Sequence, residues 1–146
     1  MAGPRNLYGS EDEIEAVVRG FESCTTPPAE FTHASHLVVA LCYLRGSRLA
    51  VPQAAERMRA GLYRYLAHNG VDRQKYNETI TLFWLKRVRG FLDRADAARP
   101  LAALANEMLE LCGDATLVND YYSKERLFSE EARKVWVEPD LKPLDF

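Results

Sequence analysis

Hydrophobic positions recur at the spacing of an α-helix along nearly the whole chain, and no segment alternates as a β-strand does. The first helix begins at a capping-box signature, in which Ser10 is followed three residues later by Glu13. The second helix ends at Gly46, and the third begins at Pro52, a residue that suits a first helical turn. The pattern predicts five long helices, at residues 11–24, 33–45, 52–69, 76–93 and 100–112.

The second predicted helix is apolar on every side, so we expect it at the centre of the protein. After Asp114 the pattern breaks into short pieces, where Ser123 and Ser129 are typical N-caps of two short helices. Prolines exclude a helix from residues 137–146, but apolar side chains in this tail favour packing on the bundle. We therefore predict an all-α fold: one compact domain over residues 1–146 with four to five main helices, short C-terminal helices and an extended C-terminal wrap. Residues 1–9 are expected to be flexible.

Composition narrows the class of protein. The chain has 146 residues, 47% of them hydrophobic and 27% charged, values that exclude a disordered or collagen-like chain. A net charge of −2 disfavours a nucleic-acid partner. The N-terminus has no signal-peptide pattern, no run reaches about 18 apolar residues, and the three cysteines are far apart, so we expect a cytoplasmic protein without a membrane partner. The oligomeric state is not indicated. A cluster of basic residues in and after the third helix is interpreted as a solvated face: Arg57, Arg59, Arg64, Arg73 and Lys75.

Two of the three histidines form the sharpest local feature of the chain. If Thr32 is the N-cap of the second helix, His33 and His36 are its first and fourth residues and share one face. The positive end of the helix dipole then disfavours the charged imidazolium, and neutral imidazoles suit a metal site or a general base. Alternatively, the pair is structural, with His36 packed on Phe31 in a staple-like contact.

The fourth predicted helix carries polar residues on its buried face. Asn77 and Thr81 lie in the middle of the apolar arc, and Glu78 lies at its edge. Buried polar groups need hydrogen-bond partners, so these side chains either line a pocket with the two histidines or form a satisfied network that fixes helix packing. If they form such a network, the Thr81 hydroxyl bonds to the backbone of the preceding helical turn. Glu78 fits a ligand, a base or a surface carboxylate near a helix N-terminus.

A candidate site follows from these positions. His33, His36 and Glu78 are the candidate metal ligands or acid/base groups, and Tyr76, Asn77 and Thr81 are the candidate substrate-binding residues. If the C-terminal segment closes the pocket as a lid, Tyr121 or Tyr122 supplies a catalytic hydroxyl, and Arg126 or Arg133 holds an anionic substrate group. The alternative is that this segment only caps short helices and fills the core.

Three motifs carry a resemblance to a known family: F-x-H-x-x-H-L at 31–37, Y-[HN]-E-T-x-T-x-x-W at 76–84, and Y-Y-S-x-x-x-L-F-S-x-x-A-R-x-x-W-V-E-P-D-L at 121–141. With them the chain resembles a family of small, uncharacterised, all-helical bacterial proteins. The resemblance implies no reaction, because no activity is established for that family. It implies that position 77 is often His, which with His33, His36 and Glu78 makes a plausible metal set. Asn77 departs from this pattern and is a poor ligand for zinc or iron, which weakens the case for a divalent metal here.

Two functions of different classes fit these features. The first is a small-molecule enzyme that uses histidine and glutamate for acid-base or metal-assisted chemistry. The second is a non-catalytic module that binds a small ligand or a partner protein. Neither the reaction nor the cofactor is specified by the sequence.

Overall fold

The helical pattern continues through the part of the chain that the computed structural model describes, residues 7–46, 48–96 and 98–146. Within these residues there is no β-strand. The α-helices are α1 (Glu11–Glu22), α2 (His33–Leu41), α3 (Val51–His68), α4 (Glu78–Arg94), α5 (Leu101–Cys112), α6 (Lys124–Leu127) and α7 (Glu130–Lys134). The prediction of an all-α bundle with short C-terminal helices is confirmed.

Helices α2 and α4 form the centre of the bundle. Helix α2 packs against α1, α4 and α5, and α4 packs against α2, α3, α5 and α7. Every residue from Leu37 to Leu41 is buried, as expected for a helix that is apolar on all sides. The α-helical turns of α2 end earlier than predicted, because the chain continues as a π-helical turn over Cys42–Gly46.

Side-chain caps decide where the central helices begin. The Thr32 hydroxyl accepts a hydrogen bond from the Ser35 amide, and the Ser35 hydroxyl accepts one from the Thr32 amide. Asn77 caps α4 by accepting from the amide of Ile80, so α4 begins at Glu78, two residues later than predicted. The prediction was wrong here because Asn77 has an extended backbone and precedes the helix instead of lying on its buried face.

The C-terminal tail packs on the bundle as predicted. Its Val137 is buried, and the amide of Leu141 donates to the carbonyl of Tyr121. The Phe146 ring lies 5.4 Å from Phe83 of α4 and 5.6 Å from Tyr121. The extended wrap thereby completes one hydrophobic core shared by all the long helices.

The N-terminal prediction is only partly covered by the structure. Residues 1–6 of the segment expected to be flexible lie outside the described residues. Tyr8 is attached to α5, because its amide donates to the Asn106 side-chain oxygen and its carbonyl accepts from the Asn106 side-chain nitrogen. None of the described helices has both the length and the apolar character that crossing a bilayer requires.

Candidate functional site

A cavity of about 420 Å³ lies between α2, α3 and α4. Most of its wall is apolar and comes from six side chains on these helices: Ala40, Met58, Leu62, Leu66, Ile80 and Leu85. The polar part of the wall includes five residues that the sequence predicted for the site: His33, His36, Tyr76, Asn77 and Thr81. The cavity opens to solvent beside the exposed residues Thr32 and Lys75. The structure thus brings most of the predicted site together at the starts of α2 and α4.

Phe31 fixes one end of this cavity through contacts with other rings. It is stacked on Phe21 with 4.9 Å between ring centroids, and it lies 5.1 Å from the ring of Tyr65. The imidazole of His36 lies 4.3 Å away on the cavity side of this cluster. Because Phe21 is fully buried, Phe31 and His36 pack against a rigid part of the core.

His33 is oriented by a backbone carbonyl at the end of α5. Its Nε2 lies 3.1 Å from the carbonyl oxygen of Cys112, and its ring packs edge-on against Trp84 at 4.5 Å. A carbonyl oxygen only accepts hydrogen bonds, so Nε2 carries the proton. In the neutral ring Nδ1 then has a free electron pair, which gives His33 one defined acceptor.

His36 differs from His33 because its ring nitrogens form no hydrogen bond with any described residue. Burial, reinforced by the neighbouring His33, lowers the pKa of His36 to about 4. The ring is therefore neutral at pH 7 and offers one donor and one acceptor to whatever fills the cavity. The expected neutral imidazole and the expected contact with Phe31 both occur in the same residue.

Glu78 does not join the two histidines, because its carboxylate is taken up by other partners. Arg59 donates to it through Nε at 2.9 Å and Nη2 at 2.7 Å, and the Tyr76 hydroxyl donates at 2.6 Å. Burial alone would raise the pKa of Glu78, but hydrogen bonds from Arg59 and Tyr76 outweigh it and hold this pKa below its ordinary value. Glu78 is thus a paired carboxylate that braces α3 against α4.

This pairing bears on the metal hypothesis. Across the described ranges, no group of three or more His, Cys, Asp and Glu side chains is placed to hold a metal ion. The set of His33, His36 and Glu78 is therefore not assembled. The physical reason is that the bidentate bond from Arg59 neutralises and orients the carboxylate away from the cavity wall.

Tyr76, Asn77 and Thr81 line the cavity, but their polar atoms also form hydrogen bonds within the protein. Asn77 donates through Nδ2 to the carbonyl of Leu127 at 2.8 Å while its oxygen caps α4. Burial and the hydrogen bond to Glu78 raise the pKa of Tyr76, and the Thr81 hydroxyl, which also bonds to Tyr76, opposes that rise. These three side chains fit the predicted alternative of a buried network that fixes packing.

The predicted lid residues lie outside the cavity wall. The Tyr121 hydroxyl donates to Asp145, and burial together with this bond raises the pKa of Tyr121 to about 12. Arg126 donates through Nε to the carbonyl of Glu138, and Arg133 lies on α7. Tyr121 and Arg126 therefore bind the C-terminal tail, and none of the three residues lines the space between α2, α3 and α4.

Sequence reasoning missed several contributors to the site. Arg59 and Lys75 were both interpreted as part of a solvated basic face, whereas Arg59 holds Glu78 and Lys75 stands at the cavity mouth. Leu62 and Leu66 of α3 also line the cavity, and no sequence signal marks them, because their spacing is that of any apolar helix face. Trp84 was inside the second motif, and its contact with His33 explains its place there.

Comparisons with protein-family models, with curated proteins and with solved structures found no match to this chain. The resemblance carried by the three motifs therefore stays a prediction. The function proposed below depends on the geometry of the cavity.

Proposed function

We propose that this protein binds a small, largely apolar molecule in the cavity between α2, α3 and α4, with His36 as the polar contact. The observation that carries the proposal is the imidazole of His36, whose ring nitrogens have no hydrogen-bond partner among the described residues and which lies on a mostly apolar cavity wall. The side chain is half-buried, so its ring nitrogens are accessible from the cavity, where a bound molecule would supply a hydrogen-bond partner.

The size of the cavity suits a small organic molecule. Natural ligand pockets span roughly 300–1,000 Å³, and a cavity of about 150 Å³ is enough to hold benzene. A volume of about 420 Å³ therefore accommodates an aromatic ring with a short chain. Met58 and Leu62 of α3 face Ile80 and Leu85 of α4 across this space and would cover the apolar body of the ligand.

The proposal is tested with three probes that share a phenylpropyl body and differ in the head group: 3-phenylpropan-1-ol, 3-phenylpropionamide and 3-phenylpropionate. Each is titrated into isotopically labelled protein while backbone and imidazole NMR signals are followed. We expect at least one probe to shift signals at the starts of α2 and α4. Filling the cavity by Leu62→Phe should weaken that binding by at least about tenfold, since the added ring takes the ligand's place.

Leu111→Phe is the matched control, because Leu111 lies on α5 outside the cavity wall with more than half of its surface exposed. The same substitution there should leave binding unchanged. For the polar contact, His36→Leu should abolish binding and His36→Gln should restore part of it, because glutamine again offers a donor and an acceptor. The proposal fails if no probe shifts the cavity signals, or if Leu62→Phe binds as well as Leu111→Phe.

Proton-transfer catalysis at His33 is a second candidate function. It is favoured by one observation: the bond to the Cys112 carbonyl fixes the ring and leaves Nδ1 as a defined proton acceptor. In such a step Nδ1 takes a proton from an acidic C–H or O–H of the bound molecule, and the electron pair stays on that molecule. Incubation with a mixture of small metabolites should then deplete a compound that His33→Gln leaves intact. If the wild-type protein alters no compound that it binds, the protein only binds.

A further inference from the structure

The charges around the cavity specify the head group of the molecule that it takes. We propose that the ligand is a monocarboxylate with an apolar body, whose carboxylate lies at the cavity mouth between Lys75 and His36. This inference deepens the proposed function and depends on it. It follows from the arrangement of charged and polar groups at the end of the cavity where α2 and α4 begin.

Lys75 provides the positive charge. It contributes to the cavity wall, it is exposed, and it forms no ion pair with any Asp or Glu in the described part of the chain. The basic residues near it are engaged differently: Arg59 is paired with Glu78, and Arg73 lies 3.7 Å from the ring of Tyr63. Lys75 is thus free to meet an anion that enters beside it.

No acidic group competes for that position on the described cavity wall, which contains neither Asp nor Glu. The nearby Glu78 is neutralised by two bonds from Arg59 and one from Tyr76. Asp114, whose carboxylate lies near His33, already accepts from the amide and the hydroxyl of Thr116. The local field in the mouth of the cavity therefore favours a negative charge.

Two helix N-termini add to this field. The N-cap Thr32 of α2 and the N-cap Asn77 of α4 both belong to the cavity wall. Each helix presents the positive end of its dipole near its first turn, where carboxylates are stabilised. His36, on the first turns of α2, supplies the N–H donor that a carboxylate oxygen needs, since its nitrogens have no hydrogen-bond partner among the described residues.

A carboxylate fits this site better than a phosphate. Phosphate sites in proteins usually combine several cations with converging backbone amides or an arginine fork, which suits a group with up to two charges. Here the described wall contributes a single lysine and no arginine. The apolar walls deeper in the cavity favour a ligand with a hydrocarbon body. A short aromatic or branched-chain acid therefore suits both the charged mouth and the apolar interior of the cavity.

The experiment compares 3-phenylpropionate with its amide, which has the same body and no charge, and with 2-phenylethyl phosphate. We expect the carboxylate to bind at least about tenfold more tightly than the amide at low ionic strength, and the difference to shrink as salt is added. Binding of the carboxylate should also raise the pKa of His36 from about 4, whereas the amide should not. The imidazole signals report this change directly.

Two lysine variants separate the local charge from net charge. Lys75→Met should weaken carboxylate binding about five- to tenfold and leave amide binding within about twofold. Lys124→Met is the matched control, because it removes one positive charge from the exposed start of α6 and should change neither affinity. If Lys75→Met and Lys124→Met behave alike, Lys75 does not hold the ligand and the inference is wrong.

The remaining outcomes distinguish this inference from the proposed function. Equal or tighter binding of the amide overturns the carboxylate but leaves a small-molecule site in place. Tighter binding of the phosphate also overturns it, and in that case the site recognises phosphate esters. Both proposals fail together if no probe shifts signals at the cavity, or if Leu62→Phe binds the probes as well as Leu111→Phe.

Discussion

The cavity and the C-terminal segment 121–146 make an instructive pair, because both mix aromatic and polar side chains and both were candidates for function. In the C-terminal segment several polar side chains have partners within the chain. Tyr122 donates to the carbonyl of Val137, and Ser123 donates to Asp140. In the cavity the polar atoms of His36 have none among the described residues.

Whether a polar side chain has a partner within the protein distinguishes a structural residue from a candidate binding residue more clearly than composition does. A buried polar group with a partner costs little and fixes the packing of the elements that it joins. A half-buried polar group without a protein partner, such as the His36 ring, stays available to a molecule that enters the space beside it. By this criterion the C-terminal segment holds the bundle together, and the cavity is the place where we propose that a ligand binds.

Asn77 joins the two regions, and its loss should have the largest effect. Asn77→Ala removes the cap of α4 and leaves the carbonyl of Leu127 without its donor, so we expect a loss of about 2–4 kcal/mol in the free energy of unfolding. Urea denaturation measures this. Asn106→Ala is the control: it also removes two hydrogen bonds, both to Tyr8, but at a position where solvent replaces them. If the two variants lose equal stability, the joining role of Asn77 is refuted.

The features that could be predicted from the sequence are those that depend on residues close together in the chain. The five long helices follow from periodicity, and the cap at Thr32 follows from the residue types just after it. That His33 and His36 share one helix face also follows from those local signals, whereas the cavity beside them forms only where α2, α3 and α4 come together. Each of these features is decided within a few residues, so one sequence is enough.

The missed features depend on partners far apart in the chain. Arg59 and Glu78 are separated by 19 residues, and Asn77 and Leu127 by 50. Nothing in the pattern of either helix shows that Arg59 reaches Glu78, because the pairing arises only when α3 packs on α4. For the same reason the metal set seemed possible from spacing, since its carboxylate was counted without its true partner.

The second largest effect should be a loss of stability in acid, and we expect it to come from His36 on the cavity wall. His36 has a lower pKa when folded, about 4 against the ordinary 6.5, so the unfolded chain binds more protons between these values. Stability from this residue is complete above pH 6.5 and is lost as the pH falls toward 4. The loss should reach about 2–3 kcal/mol for the wild-type protein and be missing in His36→Leu. The free energy of unfolding of both proteins is measured at pH 7.5 and 4.5. An equal decrease in the two proteins would contradict the lowered pKa of His36.

A smaller effect is expected in the C-terminal segment. Tyr122→Phe removes the hydroxyl that donates to the buried carbonyl of Val137, so the free energy of unfolding should fall by about 1 kcal/mol. Affinity for the phenylpropyl probes should not change, because Tyr122 does not belong to the cavity wall. Calorimetry of the variant with and without probe measures both quantities. If Tyr122→Phe keeps its stability but no longer binds the probe, the prediction is wrong and the C-terminal segment takes part in binding.

The smallest change in stability should come from the residue most important for binding. At pH 7.5, His36→Leu removes no hydrogen bond to the described residues and places an apolar side chain against Phe31 and Met58. Its free energy of unfolding should therefore stay within about 0.5 kcal/mol of wild type or rise slightly, while probe binding is lost. Asn77→Ala should show the opposite behaviour, with a large loss of stability from a residue whose polar atoms are all engaged. If His36→Leu instead unfolds as readily as Asn77→Ala, the imidazole is part of the framework, and the difference between the two regions disappears.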